Sequence, residues 1–388
     1  MIKIVEKSNC SGCYSCVQIC PKNAIDMISD DEGFWYPEVD FIKCVNCGAC
    51  EKACPIITPH IPAHDEPIAA YAAMHAKDSI RLKSSSGGVF SALATYILNQ
   101  GGVVFGACFD EDFNVVHKFI ESHDELNQLQ GSKYVQSKID NTYRKAEFFL
   151  KQEKLVLFSG TPCQVEGLLS YLRKPYNNLI TQDLICHGVP SPTVWQKYIK
   201  YRQSVLNYEE LQKISFRSKI TGWKRYSVHF EFKNGMKYQE MHDKDPMMQV
   251  FLKNLCLRPS CYNCSFKAKS RRSDITLADF WGMKNILPDW DDDKGTSLVI
   301  IHSDKGHKLF QKITDSITFT EVEPNAAISY NSAMIKSVKL PKKRKAFFNK
   351  ISSDNFIKVQ KKYCKITLLD KAKMIIAKFV GRLKRLLK

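Results

Sequence analysis

The sequence predicts a multi-domain α+β chain: a small domain built around cysteines, a larger α/β domain, and a C-terminal basic amphipathic helix. Three observations predict it. Between Cys10 and Pro55 one cysteine spacing occurs twice. From Ile68 onward, short apolar runs alternate with helical patterns and glycine-containing turns. The charge is also unevenly spread. Residues 336–388 hold 18 Lys/Arg and two acids, whereas the first 335 residues hold 39 basic and 38 acidic ones, so the net +17 belongs to one end of the chain.

The two cysteine runs read C-S-G-C-Y-S-C-V-Q-I-C-P and C-V-N-C-G-A-C-E-K-A-C-P, each C-x2-C-x2-C-x3-C-P. Thiolates are soft ligands that suit iron–sulfur clusters. Three Cys at two-residue intervals wrap one corner of a cubane, and the fourth, turned away at the Pro, reaches the neighbouring cluster. Cys10, Cys13, Cys16 and Cys54 are therefore expected around one 4Fe-4S cluster, and Cys44, Cys47, Cys50 and Cys20 around another. The competing readings are zinc knuckles or disulfides, but a zinc knuckle does not need the x3-C-P tail. The stretch from Ala24 to Asp40 has the apolar and turn residues of a small β-hairpin. Residues 1–57 thus read as a two-cluster ferredoxin-type domain. The proline-rich residues 58–67 read as a semi-rigid linker.

Fifteen Cys without an apolar export signal in M-I-K-I-V-E-K point to a reducing cytoplasm. There is no uninterrupted apolar run of 18 residues, as a membrane-spanning helix requires.

Residues 68–335 read as one α/β domain. I-A-A-Y-A-A-M-H is a buried strand, and V-F-S-A-L-A-T-Y-I-L is a helix that stops at Gly101-Gly102. V-V-F-G-A-C-F is a strand expected to pair with V-V-H-K-F-I. A helix spans Thr142 to Lys151 and leads to the strand L-V-L-F-S-G. Thr161-Pro162 opens a helix, Pro being suited to the first turn. L-I-T-Q-D-L-I-C is the next strand, and Ser191-Pro192 opens the helix after it. A hairpin turns at Asn234-Gly235, and T-S-L-V-I-I-H precedes a Lys-rich helix.

Three turns carry candidate chemistry: Ser85, Ser86, Gly87 and Gly88; Ser132, Lys133 and Tyr134; and Gly160 and Thr161. Backbone N–H groups at helix starts, Ser hydroxyls and a Lys cradle phosphate. Each turn alone is better accounted for by plain turn chemistry. Together, in a chain holding electron-transfer clusters, they suggest a dinucleotide such as FAD. Asp279 and Trp281 would place a turn and an aromatic face near its ring system, with core packing as the alternative.

There is also a second cysteine group. Cys163 and Cys186 stand at strand ends, which converge on the ligand crevice of an α/β sheet. Cys261 and Cys264 form C-Y-N-C. These four are expected around a third 4Fe-4S cluster, with Cys256 as the substitute for one of them. Buried thiols plus a zinc or free Cys pair is the competing reading. Cys108 and Cys364 read as ordinary core or tail thiols. His187, next to Cys186, is a candidate to hydrogen-bond a flavin or transfer a proton, with a structural role as the alternative.

The motifs S-S-S-G-G-V-F, G-S-K-Y-V-Q-S, G-T-P-C-Q-V-E-G-L, D-L-I-C-H-G-V-P-S-P, C-Y-N-C and D-I-T-L-A-D-F-W-G occur in that order. Over roughly residues 1–335 the chain resembles the beta subunits of coenzyme F-420 hydrogenases and dehydrogenases, preceded by a ferredoxin domain. The resemblance implies a domain binding FAD and a 4Fe-4S cluster and exchanging two electrons with a deazaflavin, coenzyme F-420. It also implies ferredoxin or another redox protein as partner, and a small-molecule donor or acceptor. Some members of the family reduce other conjugated rings.

The near-neutral body argues against nucleic acid as a partner. From Ile366 the apolar residues recur at helical spacing with Lys and Arg between them. Such a helix suits an anionic membrane surface, here the inner face of the membrane of a cytoplasmic protein, with a solvated helix packing back on the body or a partner-docking helix as the alternatives.

Overall fold

The computed structural model describes residues 1–62, 65–205 and 209–365. The basic amphipathic helix expected from Ile366 lies outside the described residues.

The N-terminal domain is a β-hairpin between two cysteine-bearing turns. Strands β1 (Ile25–Ser29) and β2 (Trp35–Val39) pair antiparallel, Ile25 opposite Val39. Asp30 shapes the turn, its Oδ1 accepting from the amides of Glu32 (3.1 Å) and Phe34 (2.9 Å). The buried cluster here is Ile2, Cys16, Ile25, Cys50 and Cys54. Three of those five are thiols, so an apolar core of ordinary size is missing.

The body is built on a sheet of eight strands. Five come first in the chain: β3 (Ala69–His75), β4 (Val103–Phe109), β5 (Val115–Ile120), β6 (Val156–Ser159) and β7 (Leu179–Leu184). A smaller sheet then intervenes, holding β8 (Leu211–Ser218), β9 (Ser227–Phe232) and β10 (Lys237–Met241). The large sheet is completed by β11 (Ile275–Asp279), β12 (Ser297–Ile301) and β13 (Ile317–Val322). It runs in the order β13-β3-β12-β11-β7-β6-β4-β5. Its centre, β11-β7-β6-β4, is parallel, and every other pairing is antiparallel.

The alternation expected of an α/β domain accounts for the parallel centre. The antiparallel flanks depart from it, because β11 returns to β12 on the same sheet without a helix crossing over. Both faces are covered, which is why the central strands read as continuous apolar runs. Along β4, Val104 and Cys108 face the helix Val89–Asn99, while Val103 and Phe105 face the helices Thr142–Lys151 and Pro162–Leu172.

The segment after 335 is only partly a tail. Helices Arg344–Ile351 and Phe356–Cys364 bury Phe347, Phe348, Ile351, Phe356 and Val359 in a core shared with Trp195, Tyr198 and Phe230.

A seam of polar contacts docks the N-terminal domain on the body. Arg258 is fully buried. It donates to the carbonyls of Cys10 (2.8 Å) and Trp35 (2.9 Å) and to Gln136 Oε1 (3.1 Å). Arg344 donates to Glu32 Oε1 at 2.8 Å. Gln18 Oε1 accepts from the Tyr143 amide at 2.9 Å. A Cβ on Gly167 would lie 2.8 Å from the Cβ of Cys13, so only glycine admits the cysteine loop there.

Candidate functional site

The eight N-terminal cysteines separate into two sets. Cys10, Cys13, Cys16 and Cys54 ring a cavity with Ile2, Met27 and Ile56. Cys20, Cys44, Cys47 and Cys50 ring a second one with Pro21 and Val39. This is the crossed arrangement that the spacing predicts. Each run enters its short helix through a left-handed residue, Tyr14 (φ 67°) or Gly48 (φ 72°), which turns the next thiol inward. The amides of Ala24 and Ile2 donate to the sulfurs of Cys20 and Cys50, both at 3.3 Å. Burial pushes the Cys13 thiol up to about 12, so a thiolate there requires the positive charge of bound iron. Among the described residues no three His, Cys, Asp or Glu side chains stand close enough to share a single ion. The thiols instead ring cavities.

The second cysteine group is assembled by the central strands. β6 and β7 are parallel neighbours, so the residues just after each strand emerge at one sheet edge. Cys163 lies in the first turn of the helix Pro162–Leu172 after β6, and Cys186 lies just after β7. The short turn Pro259–Asn263 brings Cys261 and Cys264 opposite them. All four line one cavity, together with Asn9, Ser11, Lys267 and Arg271. Burial and then the nearby Cys264 raise the Cys163 thiol.

The donor set fits a 4Fe-4S cluster. There are four soft sulfurs, the Val189 amide donates to Cys261 Sγ at 3.4 Å, and Arg271 Nη2 is buried with no partner. Cys256 is instead fully buried in the core and takes no part in this cavity. Cys108 and Cys364 are likewise buried in the core.

On the other side of Cys186 opens a cleft of about 580 Å³, within the range of cofactor sites. Of the predicted flavin-site residues, Ser85, Ser86, Gly88, Ser132, Lys133, Tyr134, Gly160, Thr161, Asp279 and Trp281 line it, as does His187. Gly87 does not. It is packed beneath the loop, where an added Cβ would fall 2.3 Å from the carbonyl oxygen of Ala73 on β3. Its contribution is close approach of the loop to the sheet.

The cleft has an anion-binding end. The helix Val89–Asn99 starts without a side-chain cap, and its first residues Val89, Phe90 and Ser91 line the cleft. The N–H groups of Val89 and Phe90 and the helix dipole suit phosphate, while the Ser91 amide donates to the Gly88 carbonyl at 3.0 Å. Beside it, Ser85 Oγ accepts from the Ser132 amide at 2.7 Å. Lys133 Nζ donates to the carbonyls of Gln130 (2.9 Å) and Gly131 (3.2 Å). Burial pulls Lys133 down to about 8.

The opposite wall is aromatic. Trp281 is 46% exposed and stacks on Trp223 with ring centres 4.9 Å apart. Tyr134 stacks on Phe251 at 5.0 Å. Asp279 joins the two ends, accepting from Arg217 (2.9 Å) and Trp223 (3.1 Å). Not every predicted hydroxyl is free for a ligand: Ser86 Oγ donates to the Thr296 carbonyl at 2.9 Å, and Thr161 caps its own helix. His187 Nε2 is 2.6 Å from Asn254 Oδ1, and its ring meets Phe251 edge-on. Burial lowers its pKa.

Sequence reasoning missed Arg217, His117 and Tyr226, all of which line the cleft. Arg217 reaches it from β8, with its guanidinium 4.0 Å from the centre of the Tyr226 ring. Its Nε is buried without a partner, a donor left over for a ligand in a site fit for a flavin dinucleotide. A basic residue inside an otherwise unremarked strand carries no local signal.

The sites share walls. Asn9, Ser11 and Ile56 line both the Cys10 cavity and the Cys163 cavity. Cys186, His187, Gly188 and Val189 line both the Cys163 cavity and the cleft.

Comparison with known proteins identifies the two domains by family. Residues 70–142 match the family profile described as coenzyme F-420 hydrogenase/dehydrogenase, beta subunit N-term, and residues 153–326 match its C-terminus. Residues 9–56 match a 4Fe-4S dicluster domain. One subunit of the F(420)H(2) dehydrogenase of Methanosarcina mazei is 23% identical over 174 residues, 42% of this chain and 49% of that protein. A coenzyme F-420-dependent sulfite reductase of Methanocaldococcus jannaschii is 26% identical over 196 residues, 48% of this chain and 29% of that protein. The chain thus spans about half or less of the length of these relatives. A solved chain of the F-420-reducing hydrogenase complex from Methanosarcina barkeri covers 71% of this chain and 92% of itself, at 15% identity and a TM-score of 0.48.

Proposed function

The chain belongs to the family of coenzyme F-420 hydrogenase/dehydrogenase beta subunits, with a 4Fe-4S dicluster domain ahead of it, and from that premise we propose that it is an iron–sulfur flavoprotein oxidoreductase. When bound, three 4Fe-4S clusters supply one-electron carriage, and FAD supplies the conversion to two-electron hydride chemistry on an organic carrier, for which coenzyme F-420 is the candidate. Twelve cysteines hold the clusters: Cys10, Cys13, Cys16 and Cys54; Cys20, Cys44, Cys47 and Cys50; Cys163, Cys186, Cys261 and Cys264. The uncapped helix start, Ser85, Ser132 and Lys133 hold the phosphates of the dinucleotide. Trp281, Tyr134 and Arg217 bound its ring system. His187, tied to Asn254, orients the wall between the third cysteine set and the cleft.

The observation that carries this reading is the pair of shared walls that joins the Cys10 set to the Cys163 set and the Cys163 set to the cleft, with the Cys20 set at the surface of the same small domain as the Cys10 set. The surface end supports a redox protein as partner. Cys47 is exposed there, beside Phe41 (74% exposed), Ile42 (98%) and Val45 (57%). Two of the nearby basic groups are paired within the chain, Lys43 with Asp40 and the N-terminus with Glu51, both at 3.0 Å. For the basic C-terminal end, an anionic membrane surface is the partner supported by charge and apolar spacing in the sequence. Among the described residues no helix is long and apolar enough to cross a membrane.

The test is cofactor content after anaerobic purification. About twelve iron atoms and one flavin per chain are expected. Eight iron atoms and no flavin would overturn the reading. A second reading, an electron-transfer subunit without its own substrate chemistry, is favoured by the similarity to one subunit of a dehydrogenase. Dithionite-reduced chain that carries flavin but leaves coenzyme F-420 and other organic acceptors unreduced would select it.

A further inference from the structure

The four-cysteine cavity inside the body differs in charge from the one beside it. Among the described residues no charged side chain lines the Cys10, Cys13, Cys16 and Cys54 cavity; the buried Arg258, which donates to the Cys10 carbonyl, acts on Cys261 as well, so its charge is shared by both sets and does not distinguish them. Lys267 and Arg271 both line the Cys163, Cys186, Cys261 and Cys264 cavity. Arg271 is 7% exposed. Its Nη1 is bonded at 3.0 Å to both carboxylate oxygens of buried Asp183, so its charge is largely compensated. Its Nη2 remains buried without a partner. Lys267 Nζ donates to the carbonyls of Cys186 and Ala333. Among the described residues no carboxylate forms an ion pair with it.

A cluster held by four thiolates is anionic, and reduction adds one more negative charge. An uncompensated cation at its edge therefore stabilises the reduced form more than the oxidised one. A hydrogen bond to its sulfur acts in the same direction.

We propose that Lys267, through its charge, and Arg271, through its free donor, hold the reduction potential of the Cys163-set cluster above that of the neighbouring Cys10-set cluster. Electron transfer from the N-terminal domain into the body then runs downhill, and the inner cluster is where electrons collect beside the cleft. This rests on the three-cluster reading. Lys267 acts here as a tuning residue and not as a ligand.

The experiment is a redox titration of the full chain followed by electron paramagnetic resonance, on wild type, Lys267→Met and Lys267→Arg. Iron is counted in each, and the inner signal is assigned by its absence in Cys261→Ala/Cys264→Ala. In Lys267→Met, with iron unchanged, the ratio of reduced to oxidised inner cluster at a fixed potential should fall by about tenfold or more, which is 59 mV or more for a one-electron couple. The other two signals should stay in place, and Lys267→Arg should restore the wild-type position. An unmoved inner signal with full iron, or a wild-type inner cluster below the Cys10-set cluster, overturns the proposal. Loss of four irons in Lys267→Met but not in Lys267→Arg also overturns it, by making Lys267 a support of the site. A wild type holding only about eight irons would instead remove the three-cluster reading itself.

Discussion

Single residues decide how the cysteines are grouped in space. Cys261 and Cys264 are placed by one short turn against Cys163 and Cys186, whose positions come from the parallel strands β6 and β7. Cys261→Ala/Cys264→Ala should lower iron from about twelve to about eight atoms per chain while the N-terminal clusters keep their spectra. Iron unchanged in the variant would show that these thiols hold none. His117 is a separate case at this scale. Nδ1 is 2.8 Å from Ser137 Oγ, and Nε2 is 3.0 Å from the Ser159 carbonyl, to which it donates. Burial pulls the imidazole down from 6.5 to about 4. Its folded pKa lies below the unfolded one, so between these values the unfolded chain binds the proton and the folded chain does not. The stability contributed is present above about pH 6.5 and is lost as pH falls toward 4, amounting to roughly 3 kcal/mol. Comparing thermal midpoints of wild type and His117→Asn between pH 7 and 5, the variant should show the shallower decline. Parallel declines would sink this assignment.

Among elements, the loop from Ser84 to Gly88 and the surface loop from Phe41 to Val45 carry the sharpest expectations. Gly87 lets the first loop lie on β3. In Gly87→Ala the added methyl meets the Ala73 carbonyl at 2.3 Å and the Ser297 amide at 2.7 Å. The loop must lift, at about 2 kcal/mol, and flavin retained after gel filtration should drop below half of wild type. Full flavin and an unchanged melting point would show that the loop does not shape the cleft. Phe41→Ser/Ile42→Ser leaves the cysteine ligands in place and removes an exposed apolar contact. Reduction by a ferredoxin should slow about tenfold with little dependence on salt, while reduction by dithionite stays the same. Equal slowing of both donors would point to damage at the cluster and against a docking face.

For the molecule as a whole, the N-terminal domain buries few apolar residues in a core of its own, and three of the five residues of that core are thiols. Removing iron with a chelator should therefore unfold residues 1–57 and expose them to protease, while the eight-stranded body resists digestion. Loss of the body at the same time would mean that the seam of Arg258, Arg344 and Gln18 couples the two units. By itself, the sequence determined the two N-terminal cysteine sets, most strands and helices of the body, and ten residues that the structure places on the cleft wall. Ligand spacing, alternating apolar runs and glycine turns are local signals, and local signals survive in a string. Tertiary structure alone decided three things. β11, β12 and β3 pair antiparallel beside a parallel centre. The basic segment from 336 to 365 begins as part of the core, through Phe347, Phe348 and Phe356. Arg217 and His117 meet at the cleft from strands far apart in the chain. Such residues carry no pattern of their own, because what brings them together is the packing of a sheet whose strand order the sequence does not spell out.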